Sequence, residues 1–118
     1  MRASQFILEN IDSDAVNELD SYIMNNEELY RRRFMPIISN IRRKLKKNVY
    51  DHDKAQKLWM YLVDDAAKEY VKEFGTTQDD VATMFPKETR QKVAQIISDR
   101  ELENIKQGEY DVSQGTVS

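Results

Sequence analysis

The side chains of this chain that could do chemistry fall into three groups, and the first is Asp51, His52 and Asp53. An imidazole between two carboxylates has the residue types of a general base or a metal site. Three consecutive residues at a helix start do not converge on one centre, however, and neither a second histidine nor a carboxylate four residues away stands near. The reading that follows is a helix-capping Asp51 beside an exposed His52. The second group is Asp64, Asp65, Glu69 and Glu73. A carboxylate-held metal in a helical bundle uses Glu-x-x-His, which is missing, and Lys68 and Lys72 interleave the acids, so these residues read as a solvated helix face. The chain has no cysteine, which excludes disulfides, zinc fingers, iron–sulfur clusters and thiol catalysis. It also has no glycine-rich phosphate loop and no nucleophile elbow. The expectation is a protein without catalytic residues, metal or cofactor, and not an enzyme.

The third group is a run of bases. Between Tyr30 and Tyr50 stand Arg31, Arg32, Arg33, Arg42, Arg43, Lys44, Lys46 and Lys47 with no acid among them, so this segment carries +8 and the rest of the chain -11. On a helix that turns Phe34, Ile37, Ile38, Ile41 and Leu45 inward, Arg32, Arg43, Lys46 and Lys47 project from the opposite side. A single-sign surface of this kind attracts an acidic protein or phosphates. The expected partners are an acidic protein or a second copy of the chain; the alternative is nucleic acid, held by its phosphates. Tyr30 and Phe34 lie on the inward stripe, so a base-stacking platform is not expected. A helix-turn-helix over Gln78 to Ile97, presenting Lys87, Arg90, Gln91 and Lys92, is opposed by Pro86 in its turn and by Asp79 and Asp80 on its first helix. Trp59, Tyr70, Phe34 and Phe74 recur at helical spacing and read as core; Tyr61 points away from that arc.

Helices must position these groups. One third of the residues are charged and only three are glycine and two proline, a balance that suits an all-α domain and argues against a turn-rich sandwich. At 118 residues the chain fits one domain. Val16, Leu19 and Ile23 predict a helix from about Ser13 to Met24, after residues 1–11, where no period is visible. Asn26 can cap the next helix, whose stripe runs from Tyr30 to Leu45; Pro36 inside it predicts a kink or break near Arg33 to Met35. Asn48 to Tyr50 make a turn, and Asp51 caps a long helix over residues 52–74. Its apolar positions cover half its circumference, so it is the central one. Gly75 is expected in the left-handed conformation that ends many helices. Thr77 with Asp80 suggests a capping box, Pro86 starts a last helix with a bend near Ser98 and Asp99, and Gly108 stops it.

The segments LYRRRFMPIISNIRRKLKKNVYDHDKAQKLWMYLVDDAAKEYVKEFG and MFPKETRQKVAQIISDRE resemble small uncharacterised proteins of tailed bacteriophages and marine viral metagenomes, over roughly residues 22–105. That group carries no assigned activity, cofactor or catalytic residue. The resemblance implies a context alone: a viral or prophage accessory protein in a bacterial cytoplasm. No apolar run reaches membrane-spanning length and the N-terminus is too short in apolar residues for a signal peptide, which also predicts a cytoplasmic protein with no membrane partner. The expected architecture is a compact all-α bundle of four or five helices over residues 1–108, followed by a polar, mobile tail over 109–118. The expected role is an accessory or protein-interaction domain.

Overall fold

The first helix, α1 (Ser13–Asn25), turns Val16, Leu19 and Ile23 inward, the predicted stripe. This chain was studied as a computed structural model, which describes residues 13–76 and 79–110. Residues 1–12, the expected cap at Thr77 and the tail beyond Tyr110 lie outside the described residues.

After α1, the Asn26 carboxamide accepts a hydrogen bond from the Leu29 N–H at 3.0 Å and opens α2 (Glu27–Leu29). The chain then passes through a π-helical turn, Tyr30–Phe34, into α3 (Met35–Lys46) without interruption. The Met35 N–H reaches back five residues to the Tyr30 carbonyl. This turn is the response to Pro36. In a regular α-helix the proline ring would crowd the carbonyl four residues earlier, and a wider turn opens that space. The extra residue also brings Leu29 and Phe34, five apart, to the same buried side. The helical rod therefore neither breaks nor splits at Pro36. Asn48, at φ 57°, closes α3 in the left-handed conformation, with Val49 N–H on the Lys44 carbonyl (2.9 Å) and Asn48 N–H on the Leu45 carbonyl (3.1 Å).

Asp51 caps α4 (His52–Phe74) by accepting from the Lys54 N–H at 3.1 Å. Trp59, Leu62, Val63, Ala66 and Ala67 are fully buried along this helix, which touches α1, α3 and the last helix and is central, as expected. The pairings set its direction. Phe34 meets Trp59 with ring centroids 5.1 Å apart, and Arg33 meets Asp65, whereas Lys44 lies by Lys54, so α3 runs antiparallel to α4. Glu18 meets Tyr70 and Tyr22 meets Glu73, so α1 runs parallel to it.

Gly75 differs from expectation. Its φ of -84° and ψ of 171° are extended, open to any residue. What requires glycine is close approach, since a Cβ there would stand 2.7 Å from the Val71 carbonyl oxygen and 3.2 Å from Asp79 Cβ. The short α5 (Val81–Met84) is capped by Asp80, which accepts from the Thr83 N–H at 2.8 Å. Pro86 precedes α6 (Lys87–Lys106), the most extensive neighbour of α4. The helix does not end where its apolar phase slips. Val93, Ile97 and Ile105 keep a four-residue spacing along its buried side, and the position between Ile97 and Ile105 is Glu101, only 1% exposed. Gly108, at φ 80°, ends the helix as predicted, with Glu109 N–H on the Asn104 carbonyl at 3.0 Å.

The boundary drawn at residue 108 moves. Tyr110 packs against the core, and its hydroxyl donates to Glu101 at 2.5 Å, so the start of the expected tail is tied to the domain. The described residues form an all-α bundle of five helical rods, with α2, the π turn and α3 counted as one.

Candidate interaction surface

The eight bases of the Tyr30 to Tyr50 stretch divide into two sets. At the π turn, Arg32 pairs with Glu28 at 3.0 Å and Arg33 with Asp65 of α4 at 2.6 Å, while Arg31 is exposed. The hollow beside them holds Glu28, Asp65 and Glu69 against Arg32, Arg33 and Lys68, three charges of each sign. It presents no single-sign field to a ligand.

The second set sits at the C-terminus of α3. Arg43, Lys46 and Lys47 are exposed and make no ion pair with a described residue; Lys44 is half-buried. Arg42 and Lys46, with Lys106 of α6, surround a shallow hollow of about 250 Å³ whose apolar lining is Leu45 and Ile105. Beside it, at the tip of the turn, Val49 is 58% exposed. The nearest acids in sequence, Asp51 and Asp53, open α4, where negative charge complements the helix N–H groups. The bases in turn complement the carbonyl end of α3, so each helix end has a local reason for its charge. The result is a basic pole with an apolar centre.

The residues that suggested catalysis are occupied otherwise. His52 Nδ1 lies 3.1 Å from the Tyr50 hydroxyl on the exposed surface. Asp64 accepts from Arg90 at 2.8 Å, Asp65 from Arg33, and Glu73 Oε1 from the Tyr22 hydroxyl at 2.9 Å. Arg90 also donates through Nε to the Phe85 carbonyl at 2.9 Å, which fastens the start of α6 and takes this residue away from any phosphate. Among the described residues no group of three or more His, Asp or Glu side chains is placed to hold a metal ion. Nor is any described helix long and apolar enough to cross a membrane.

Two arrangements escaped the sequence reading. The first is a half-buried polar network around the buried Glu101. The Arg100 guanidinium holds both carboxylate oxygens of Asp20 at 3.0 and 3.1 Å and donates through Nε to Glu101 at 3.0 Å. Glu101 also accepts from Asn104 at 3.2 Å and from Tyr110. Burial, and next the hydrogen bond to Glu101, pushes the Tyr110 phenol well above its ordinary value. This network ties α1 to α6 and holds Tyr110 on α6. The one signal in the sequence was a carboxylate at the fourth position after Ile97.

The second is an aromatic hollow at the far end of α4. Tyr22 and Tyr70 stand edge to face with centroids 5.2 Å apart, Phe74 adjoins both, and Phe74 is 58% exposed. Tyr70 donates to Glu18 at 2.9 Å, and Glu18 and Glu73 form the rim. Burial and then the carboxylate partner raise both phenols, Tyr22 beside Glu73 and Tyr70 beside Glu18. The four-residue spacing of Tyr70 and Phe74 was visible; their meeting with α1 was not.

Comparison with known proteins gives no match, whether against family models, curated proteins or solved structures.

Proposed function

We propose that this chain is a non-catalytic accessory domain that works by protein interaction, and that its basic pole docks an acidic protein segment. The observation that carries this reading is a cluster at the end of α3: Arg43, Lys46 and Lys47, exposed and without an ion pair to a described residue, close in sequence to the exposed Val49, with Lys46 also lining the Leu45–Ile105 hollow. These three have no carboxylate partner among the described residues and are held out to solvent. An apolar centre inside a charged rim is the usual layout of a protein contact, where the apolar part supplies affinity and the rim supplies orientation and rate. The likeness of the sequence to small phage-encoded proteins fits an accessory role in a bacterial host.

A second reading, phosphate contact with nucleic acid, is favoured by the four bases Arg42, Arg43, Lys46 and Lys47 lying within two turns of one helix. Fluorescence anisotropy separates the two. A labelled Glu-rich peptide carrying one leucine and a labelled random duplex DNA are each titrated with the full chain. Docking of an acidic protein predicts that the peptide binds, that Val49→Asp weakens it, and that R43E/K46E/K47E abolishes it. Duplex binding that falls steeply with salt, is indifferent to Val49→Asp and exceeds peptide binding would replace the first reading with the second.

A further inference from the structure

We infer that the acidic protein segment met by the basic pole is a second copy of this chain, whose aromatic hollow receives it head to tail. This inference rests on the basic pole being a docking surface and names its partner.

The two surfaces complement each other in three respects. Val49 is an exposed apolar knob beside Lys46 and Lys47; the hollow of Tyr22, Tyr70 and Phe74 is an exposed apolar recess rimmed by Glu18 and Glu73. The rims are opposite in sign. The acidic rim is also held in place: Glu73 takes the Tyr22 hydroxyl on Oε1 and Glu18 takes the Tyr70 hydroxyl on Oε2, which leaves each carboxylate its other oxygen for a lysine or arginine. A lysine reaching that rim would also pass across aromatic faces, where a cation is attracted by the ring quadrupole. At helical spacing Lys72 falls on the side of α4 away from Tyr70, so it does not cancel the rim.

The two surfaces cannot meet within one molecule. The basic pole adjoins the start of α4 and the hollow lies at its end, roughly 33 Å away at 1.5 Å per residue. Unlike patches at opposite ends either pair twice in an antiparallel dimer or repeat into rings or open chains of molecules. Each contact is small and rich in exposed charge, so association should be weak and sensitive to salt.

Sedimentation velocity on the full chain tests this. At about 50 mM salt the weight-average sedimentation coefficient should climb with protein concentration, and at about 500 mM the climb should vanish. R43E/K46E/K47E lacks the pole and E18K/E73K lacks the hollow, so each alone should sediment as a monomer. Mixed in equal amounts, the two should associate, because the intact hollow of the first meets the intact pole of the second. The exposed-site variants Val49→Asp and Phe74→Ser, which leave the buried core intact, should each weaken association by roughly tenfold or more. A wild-type chain that stays monomeric at every concentration in low salt overturns the inference, as does a mixture that yields no dimer. If the wild type is monomeric while the Glu-rich peptide still binds the basic pole, self-pairing fails and the interaction reading stands. If neither occurs, both fail.

Discussion

Arg100 and Lys46 are both cations on a helix of this bundle, and their surroundings are opposite. Each of the three Arg100 guanidinium nitrogens has an oxygen acceptor, supplied by Asp20 and by the buried Glu101. Lys46 and its neighbours Arg43 and Lys47 have no carboxylate partner among the described residues. Charge in the first region is consumed in joining α1 to α6, and taking one member away strands the others in a low-dielectric setting. Charge in the second region contributes little to the fold and is available to another molecule. The difference predicts that substitutions in the first region act on stability and substitutions in the second on binding.

The largest effect expected is at Glu101. Glu101→Ala leaves Arg100 half-paired and the Tyr110 and Asn104 donors without their acceptor, and should cost roughly 3 kcal/mol. Thermal denaturation should then show a Tm lower by about 10 °C or more. A change of only a degree or two would mean that the network is ornamental and the comparison unsound.

Tyr110 sharpens the same side of it. Its phenol titrates above the ordinary 10.0 in the folded chain because of burial and then the Glu101 hydrogen bond, so the protonated form is the one folding favours. The resulting stabilisation is fully present below pH 10 and declines as the pH rises towards the folded-state value. Urea denaturation should therefore show the wild type losing stability above pH 10, and Tyr110→Phe losing distinctly less, since only Tyr22, Tyr50 and Tyr70 remain to titrate upward. Equal alkaline losses in the two proteins would count against the Tyr110 contact.

Smaller still is the Arg33–Asp65 bridge, with side chains 43% and 39% exposed. Arg33→Met should lower stability by at most about 1 kcal/mol in chemical denaturation. The smallest effect on folding per residue belongs to the basic pole: R43E/K46E/K47E, which puts three carboxylates at the carbonyl end of α3, should cost about 0.5 kcal/mol per site while its binding disappears. A triple variant that melts far below the parent would show that the pole supports the fold after all.

How far the sequence could be read follows the range of each interaction. Local signals sufficed for the stripes of α1, α3 and α4, for the caps at Asn26 and Asp51, and for the stop at Gly108, because each depends on residues within one turn. Pro36 announced a disturbance, but its form as a π turn depended on placing Leu29 and Phe34 together against the core. Gly75 was legible as a needed glycine for the wrong reason, since it is not left-handed and what excludes a Cβ is the approach of the Val71 carbonyl and Asp79. Hydrophobic periodicity is blind to Glu101, a carboxylate occupying an apolar phase, and so the stripe of one continuous helix looked as if it slipped at Ser98. The bases were legible as one run. That Arg33 pairs with Asp65 and Arg32 with Glu28, while Arg43, Lys46 and Lys47 meet no described acid, depends on which acid lies opposite each base in the folded bundle. The aromatic hollow required α1 parallel to α4, a contact between residues some fifty positions apart.

The central claim, that recognition resides in the bases at the end of α3, is tested most directly by backbone amide chemical shifts during titration with the Glu-rich peptide. The account predicts the largest shifts at Arg42 to Val49 and at Ile105 and Lys106, with Arg31 to Arg33 silent. Shifts centred on the π turn, or spread evenly over the bundle, would contradict it.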